Sequence, residues 1–211
     1  MTAFDTAAEL AARDVGEFLR RFTRAWNLPA ESKGLPRDGA VPAALREAYA
    51  IGDLLDPRAL EVQGEVLVFH YADPMITETR WGIPLDTVDQ ADPPVVIDTG
   101  GGWQPYLDRV SLACVDVALT AVIQEHDEEL CNACELPAEL VGPALAAFDR
   151  VPLPDLPMWI DVEESPVRWW SRPGQLLRTH GEGGVWLWAS AQTRADLDAM
   201  YAALPGADWC N

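Results

Sequence analysis

The spacing of apolar positions predicts helices at the N-terminus, a block of short strands, a further helical stretch, and a C-terminal third that mixes strands with a last helix. Leu10, Val15, Phe18, Leu19, Phe22 and Trp26 recur at helical intervals, which predicts one helix over 6–26 with a single apolar face. Thr6 and Glu9 fit a capping box at its start, and Pro29 disfavours helical geometry just beyond its end. The opposite face, Arg13, Glu17, Arg20, Arg21 and Arg24, reads as solvated. Residues 30–41 mix turn formers with charge and read as an exposed connection. A short amphipathic helix then opens at Pro42, turns Leu45 and Tyr49 inward and stops at Gly52.

The period changes after Asp56-Pro57. Ala59 to Val62, Val66 to Tyr71, Ile76 to Ile83 and Val95 to Ile97 are runs of β-branched and aromatic residues fenced by Gly, Pro or Asp, as in consecutive strands of one antiparallel sheet. Val66 to Tyr71 and Ile76 to Ile83 form a hairpin on this reading, and the prolines of Asp92-Pro93-Pro94 stand at the mouth or edge of the next strand, where a missing N–H matters least. Gly100 to Gly102 lacks the spacing of a phosphate loop and reads as a turn. Leu112, Val115, Ala118, Leu119, Val122 and Ile123 make the buried stripe of a helix over 111–125 expected to lie across the sheet. Residues 136–148 read as helical with Pro143 inside, and Pro152, Pro154 and Pro157 mark a stiff connection, the most plausible internal boundary. Beyond it, Met158 to Val162, Val167 to Trp170, Leu176 to His180 and Val185 to Trp188 read as strands that extend the sheet or cover one edge of it, and Thr193 opens a last helix that runs to Leu204.

Composition narrows the function classes. The 211 residues carry 34 acidic side chains against 15 basic ones, a net charge of -19. Nucleic-acid binding draws its affinity from Lys and Arg neutralising phosphates, so this balance argues against direct nucleic-acid binding, while the same field speeds encounter with a basic protein. There is no apolar run long enough to span a bilayer, and Met-Thr-Ala-Phe-Asp lacks the basic-then-apolar order of an export signal, so no membrane association and a cytoplasmic location are expected. Four cysteines at this length fit a reducing compartment.

Candidate chemistry is sparse. Cys131 and Cys134 have the spacing of half a zinc site, with His126 nearby, but no second paired spacing completes four ligands, and they read as ordinary reduced cysteines. His70 lies in a strand with nothing near it to complete a triad, and reads as structural. Trp169, Trp170, Trp186 and Trp188 are a potential stacking platform, but the scarcity of positive charge favours core and edge packing. No catalytic residue, cofactor or metal site is expected. Two acidic groups at the ends of elements that frame the sheet are the candidate partner surface: Asp86, Asp89 and Asp92, and Glu125, Asp127, Glu128 and Glu129.

Taken in order, the helix from Pro42 to Gly52, the strand Val66 to Tyr71, Trp81-Gly82-Ile83, the stretch Asp92-Pro93-Pro94-Val95 and the helix with Ser111-Leu112 resemble the SMI1/KNR4 family of the SUKH superfamily. The resemblance covers about residues 41–123 and points to the bacterial branch. Many of those relatives carry an acidic-Asn-Gln type segment where this chain has Ala72-Asp73-Pro74-Met75, and the part from Pro152 onward fits only through the Trp188 strand and the Thr193 helix. What the resemblance implies is an α+β fold in which a mainly antiparallel, mixed sheet is flanked by helices. It further implies one such domain over residues 1–211, with 152–211 as a possible extension, and no enzymatic activity. Bacterial members act as immunity proteins that block a toxin domain, so the expected partner is a basic toxin domain, such as a nuclease. The alternative is a regulatory or scaffold module that takes a cellular protein or small ligand through the aromatic-rich C-terminal third.

Overall fold

The computed structural model describes residues 3–29, 41–52, 54–72, 79–125, 128–156, 166–181 and 184–210. Among them the chain is α+β, with six α-helices and two antiparallel sheets, of five and six strands. The described residues fall in two compact units, one within 15–120 and the other formed by 3–14 together with 121–210.

The first unit holds α2 (Val15–Ala25), α3 (Ala43–Ile51) and a five-stranded sheet. Its strands are β1 (Glu61–Gln63), β2 (Val66–Tyr71), β3 (Arg80–Pro84), β4 (Val95–Asp98) and β5 (Gln104–Leu107), paired in chain order as a meander. The expected strand at 59–62 begins two residues later, because Pro57 to Ala59 close a 3-10 turn. Of the expected strand 76–83, residues 76–78 lie outside the described residues, and β3 starts at Arg80. Trp81 is the hub: it pairs with His70 on β2 and Ile97 on β4, and its ring lies between those of His70 and Tyr106, with centroids 4.9 and 5.0 Å away. Gly82 permits the close packing beside it, since a Cβ there would stand 2.3 Å from a Val66 methyl.

Desolvation pushes the His70 imidazole down to about 4, so it is neutral at pH 7. A histidine whose folded pKa lies below its unfolded value of about 6.5 binds its proton more readily when unfolded, so its contribution falls as pH drops from about 6.5 toward 4. In His70→Gln, the urea midpoint should therefore fall less between about pH 7.5 and about pH 4.5 than it does in the parent chain. Equal falls in the two proteins would show that the fold does not hold His70 neutral.

Helix α4 (Val110–Glu125) is fixed at its start by the segment before β4. The Ser111 amide and hydroxyl donate to the Asp92 carboxylate at 2.8 and 2.6 Å, and the Val110 amide donates to the Pro93 carbonyl at 2.8 Å. The expected single apolar stripe is instead burial all round from Val110 to Leu119, as befits a helix enclosed by protein. Asp98 accounts for Gly100 to Gly102: one carboxylate oxygen accepts the Gly100 and Gly102 amides at 2.8 and 2.9 Å, and the other accepts from Arg80. The turn thus cradles the chain's own carboxylate.

The second unit corrects three expectations. The C-terminal strands do not extend the first sheet but form a sheet of their own, in the order β11-β6-β10-β9-β8-β7. Its strands are β6 (Cys131–Pro137), β7 (Asp149–Arg150), β8 (Arg168–Arg172), β9 (Gln175–His180), β10 (Gly184–Ala191) and β11 (Asp208–Trp209). The expected strand 158–162 lies outside the described residues. Residues 131–137 are a strand beside β10, and the helix expected over 136–148 is the shorter α5 (Ala138–Leu145), with Pro143 inside it. The helix expected over 6–26 is broken: α1 (Thr6–Ala12) belongs to the second unit, capped by Asp5 rather than Thr6, and α2 to the first. Arg13 is extended at the break, where Asp14, a favoured N-cap type, precedes α2. Helix α6 (Arg194–Ala203) starts as its sequence signature indicates, with the Thr193 hydroxyl oxygen accepting the Asp196 amide. Leu145 and Phe148 from the α5 region and Leu197 and Met200 of α6 close over Cys134, Leu136, Leu177, Leu187 and Ala189 on one face of the sheet.

Candidate interaction face

The opposite face of the second sheet carries the candidate site. Successive residues of a strand point to opposite faces, so Leu187, Ala189 and Ala191 of β10, all in the helix-covered core, send Trp186 and Trp188 the other way. The two rings are 43% and 37% exposed, in a chain whose Trp26, Trp81 and Trp169 are almost fully enclosed. Of the four tryptophans read as core and edge packing, Trp169 is buried and Trp170 packs against the core, while Trp186 and Trp188 are the exposed pair.

Register defines their neighbours, since directly opposed residues share a face. Trp186 lies opposite Glu135 on β6 and His180 on β9, and Glu135 lies opposite Asp208 on β11. Trp188 lies between Ala133 and Arg178. Glu135 and Asp208 are exposed. Arg178 is buried with its guanidinium over the Trp169 ring, 5.9 Å from the centroid. Burial, aided by the Arg178 charge, pushes the His180 imidazole down to about 4, leaving it neutral at pH 7. The face therefore presents two aromatic surfaces bordered by a neutral imidazole on one side and two carboxylates on the other.

The same alternation disposes of the zinc reading. Cys131 and Cys134 are three residues apart in a strand, so their sulfurs leave opposite faces and cannot chelate one ion together. Cys134 is in the helix-covered core, where burial pushes its thiol up to about 11, and Cys131 Sγ lies 3.4 Å from Ser190 Oγ. Among the described residues no group of three or more His, Cys, Asp or Glu is placed to hold a metal, and no helix is long and apolar enough to cross a membrane. His126 lies outside the described residues.

The described acidic candidates differ in their surroundings. Asp86 and Asp89 are exposed in the turn between β3 and β4, while Asp92 is half-buried and spent on Ser111. Glu129 is exposed in a 3-10 turn, and Asp127 lies outside the described residues, as do the side chains of Glu125 and Glu128. The first group belongs to one unit and the second to the other.

A cavity of about 390 Å³ opens on the helix-covered side of the second unit, lined by Val141, Leu145, Phe148, Arg168, Trp170 and Thr179 among others. Two of its polar groups are engaged within the chain: Trp170 Nε1 donates to Thr179 Oγ1 at 3.1 Å, and Arg168 pairs with Asp155 at 2.7 Å.

Comparison of the chain with protein-family models, with curated proteins and with solved structures gives no match.

Proposed function

We propose that the chain is a non-enzymatic, protein-binding immunity protein of SMI1/KNR4 type that acts in the cytoplasm by covering a basic toxin domain. The observation that carries the binding part of this reading is the exposed Trp186 and Trp188 pair on β10, on the side of the second sheet away from its α5 and α6 core. Exposed tryptophans are costly to leave in water and are the commonest anchors of protein interfaces. The net charge of -19 supports a basic partner, because complementary fields raise association rates and disfavour wrong partners. The immunity role rests on the family resemblance. The test is inhibition: the purified chain, added at a one-to-one ratio, should abolish the activity of the basic effector domain encoded beside it and co-elute with it. Undiminished activity at a tenfold excess would overturn the reading.

The cavity beside α5 favours a second reading, a regulatory module that takes a small apolar ligand. Under that reading, substitution of Leu145 by Trp would fill the cavity and abolish function while the Trp186 face stayed dispensable.

A further inference from the structure

The sheet alignment places an aromatic ring and two carboxylates in one row. Asp208, Glu135, Trp186 and His180 stand opposite one another across β11, β6, β10 and β9, so all four side chains leave the same face, with Asp208 and Trp186 two strand spacings, roughly 10 Å, apart. Directly opposed like charges are unfavourable in a sheet, yet among the described residues neither Glu135 nor Asp208 has a basic side chain paired with it. Elsewhere three half-buried or buried tryptophans lie under the chain's own arginines: Arg80 lies over Trp103, Arg150 over Trp170 and Arg178 over Trp169, at 5.3 to 5.9 Å from the ring centroids. Among the described residues none lies over Trp186. Its other neighbour, His180, is neutral and adds no competing cation. An electron-rich ring face flanked by two carboxylates is what a guanidinium needs, because a planar cation can stack on the indole and direct its N–H fork at a carboxylate at once.

We propose that Trp186, Glu135 and Asp208 form a seat for one arginine side chain presented by a basic protein partner. This rests on the protein-binding reading of the face and names its chemistry. Trp188, opposite the small Ala133 and the Arg178 already stacked on Trp169, supplies apolar contact beside the seat. The like-charge opposition of Glu135 and Asp208 is then a cost in the free chain that is relieved on binding, the usual direction of a trade between stability and function.

The seat is testable without the natural partner. The probe is the peptide acetyl-Gly-Arg-Gly-amide, with its citrulline counterpart as the neutral isostere, titrated into 15N-labelled full-length chain while the tryptophan indole N–H signals are followed. The arginine peptide is expected to shift the Trp186 indole signal progressively, and the citrulline peptide to leave it in place. E135Q/D208N should weaken the arginine peptide about fivefold or more, whereas D86N/D89N, an equal loss of charge elsewhere, should leave its affinity unchanged. The thermal midpoint of E135Q/D208N should be unchanged or raised, which separates a lost ligand contact from a damaged fold. Equal response to the two peptides, or equal weakening by the two charge variants, overturns the seat. Failure to inhibit the toxin domain while the peptide result stands would sink the immunity reading alone.

Discussion

Replacing Trp186 and Trp188 together by alanine is expected to leave the chain folded and to weaken its binding to the partner domain by at least about 100-fold, read by isothermal titration. Two tryptophan anchors at an interface each carry on the order of 2 kcal/mol or more, because binding removes a large apolar surface from water and excludes water from the polar contacts around it. In the free chain both rings already face solvent, and the residues that hold β10 in the core, Leu187, Ala189 and Ala191, are untouched. The thermal midpoint should therefore move by no more than a few degrees. A variant that binds as tightly as the parent would remove this face from the function, and one that unfolds would show that the rings carry packing after all.

Trp81→Ala is expected to have the largest effect on stability, about 3–5 kcal/mol, measured by urea denaturation of the variant and parent. Trp81 is 2% exposed at the centre of the first sheet, in ring contact with His70 and Tyr106 and paired across both neighbouring strands. Its removal leaves a cavity between two aromatic rings whose backbones are pinned by the meander, so the site has little freedom to collapse. Since a domain's whole stability is about 5–15 kcal/mol, this one change consumes a large part of it. Trp81→Phe, which keeps a ring in the gap, should cost less than half as much. A loss below about 1 kcal/mol for the alanine variant would mean that the first sheet is not organised around this residue.

The local elements were largely legible, and the long-range pairing was not. Val66 to Tyr71 and Trp81 to Ile83 declared themselves through β-branched and aromatic runs between turn formers, and the Thr193 cap declared α6. Strand β6 was missed because Cys-Asn-Ala-Cys-Glu-Leu-Pro contains no β-branched residue and is held by pairing with β10, some fifty residues on. A run of short strands likewise carries no mark of which sheet it joins, so these strands read as extending the first sheet or covering one edge of it. The break at Arg13 and Asp14 was hidden by an apolar period that continues across it. The interaction face was half-visible. Val185, Leu187, Ala189 and Ala191 already supply one complete apolar phase of β10, so the tryptophans in the other phase had to face outward, and that alternation was the available signal. Of the acidic residues, Asp92 looked like surface charge because its partner, the Ser111 amide and hydroxyl, lies nineteen residues away and only the fold brings the two together.

Neutralisation of a basic protein through the tryptophan face of the second sheet, as proposed above, is open to a growth test. Cells expressing a basic toxin domain that the chain binds are grown with the parent chain, W186A/W188A or D86N/D89N, with equal levels of folded protein verified. Growth should be restored by the parent and by D86N/D89N and lost with W186A/W188A. No rescue by the parent, or equal rescue by all three, would contradict it.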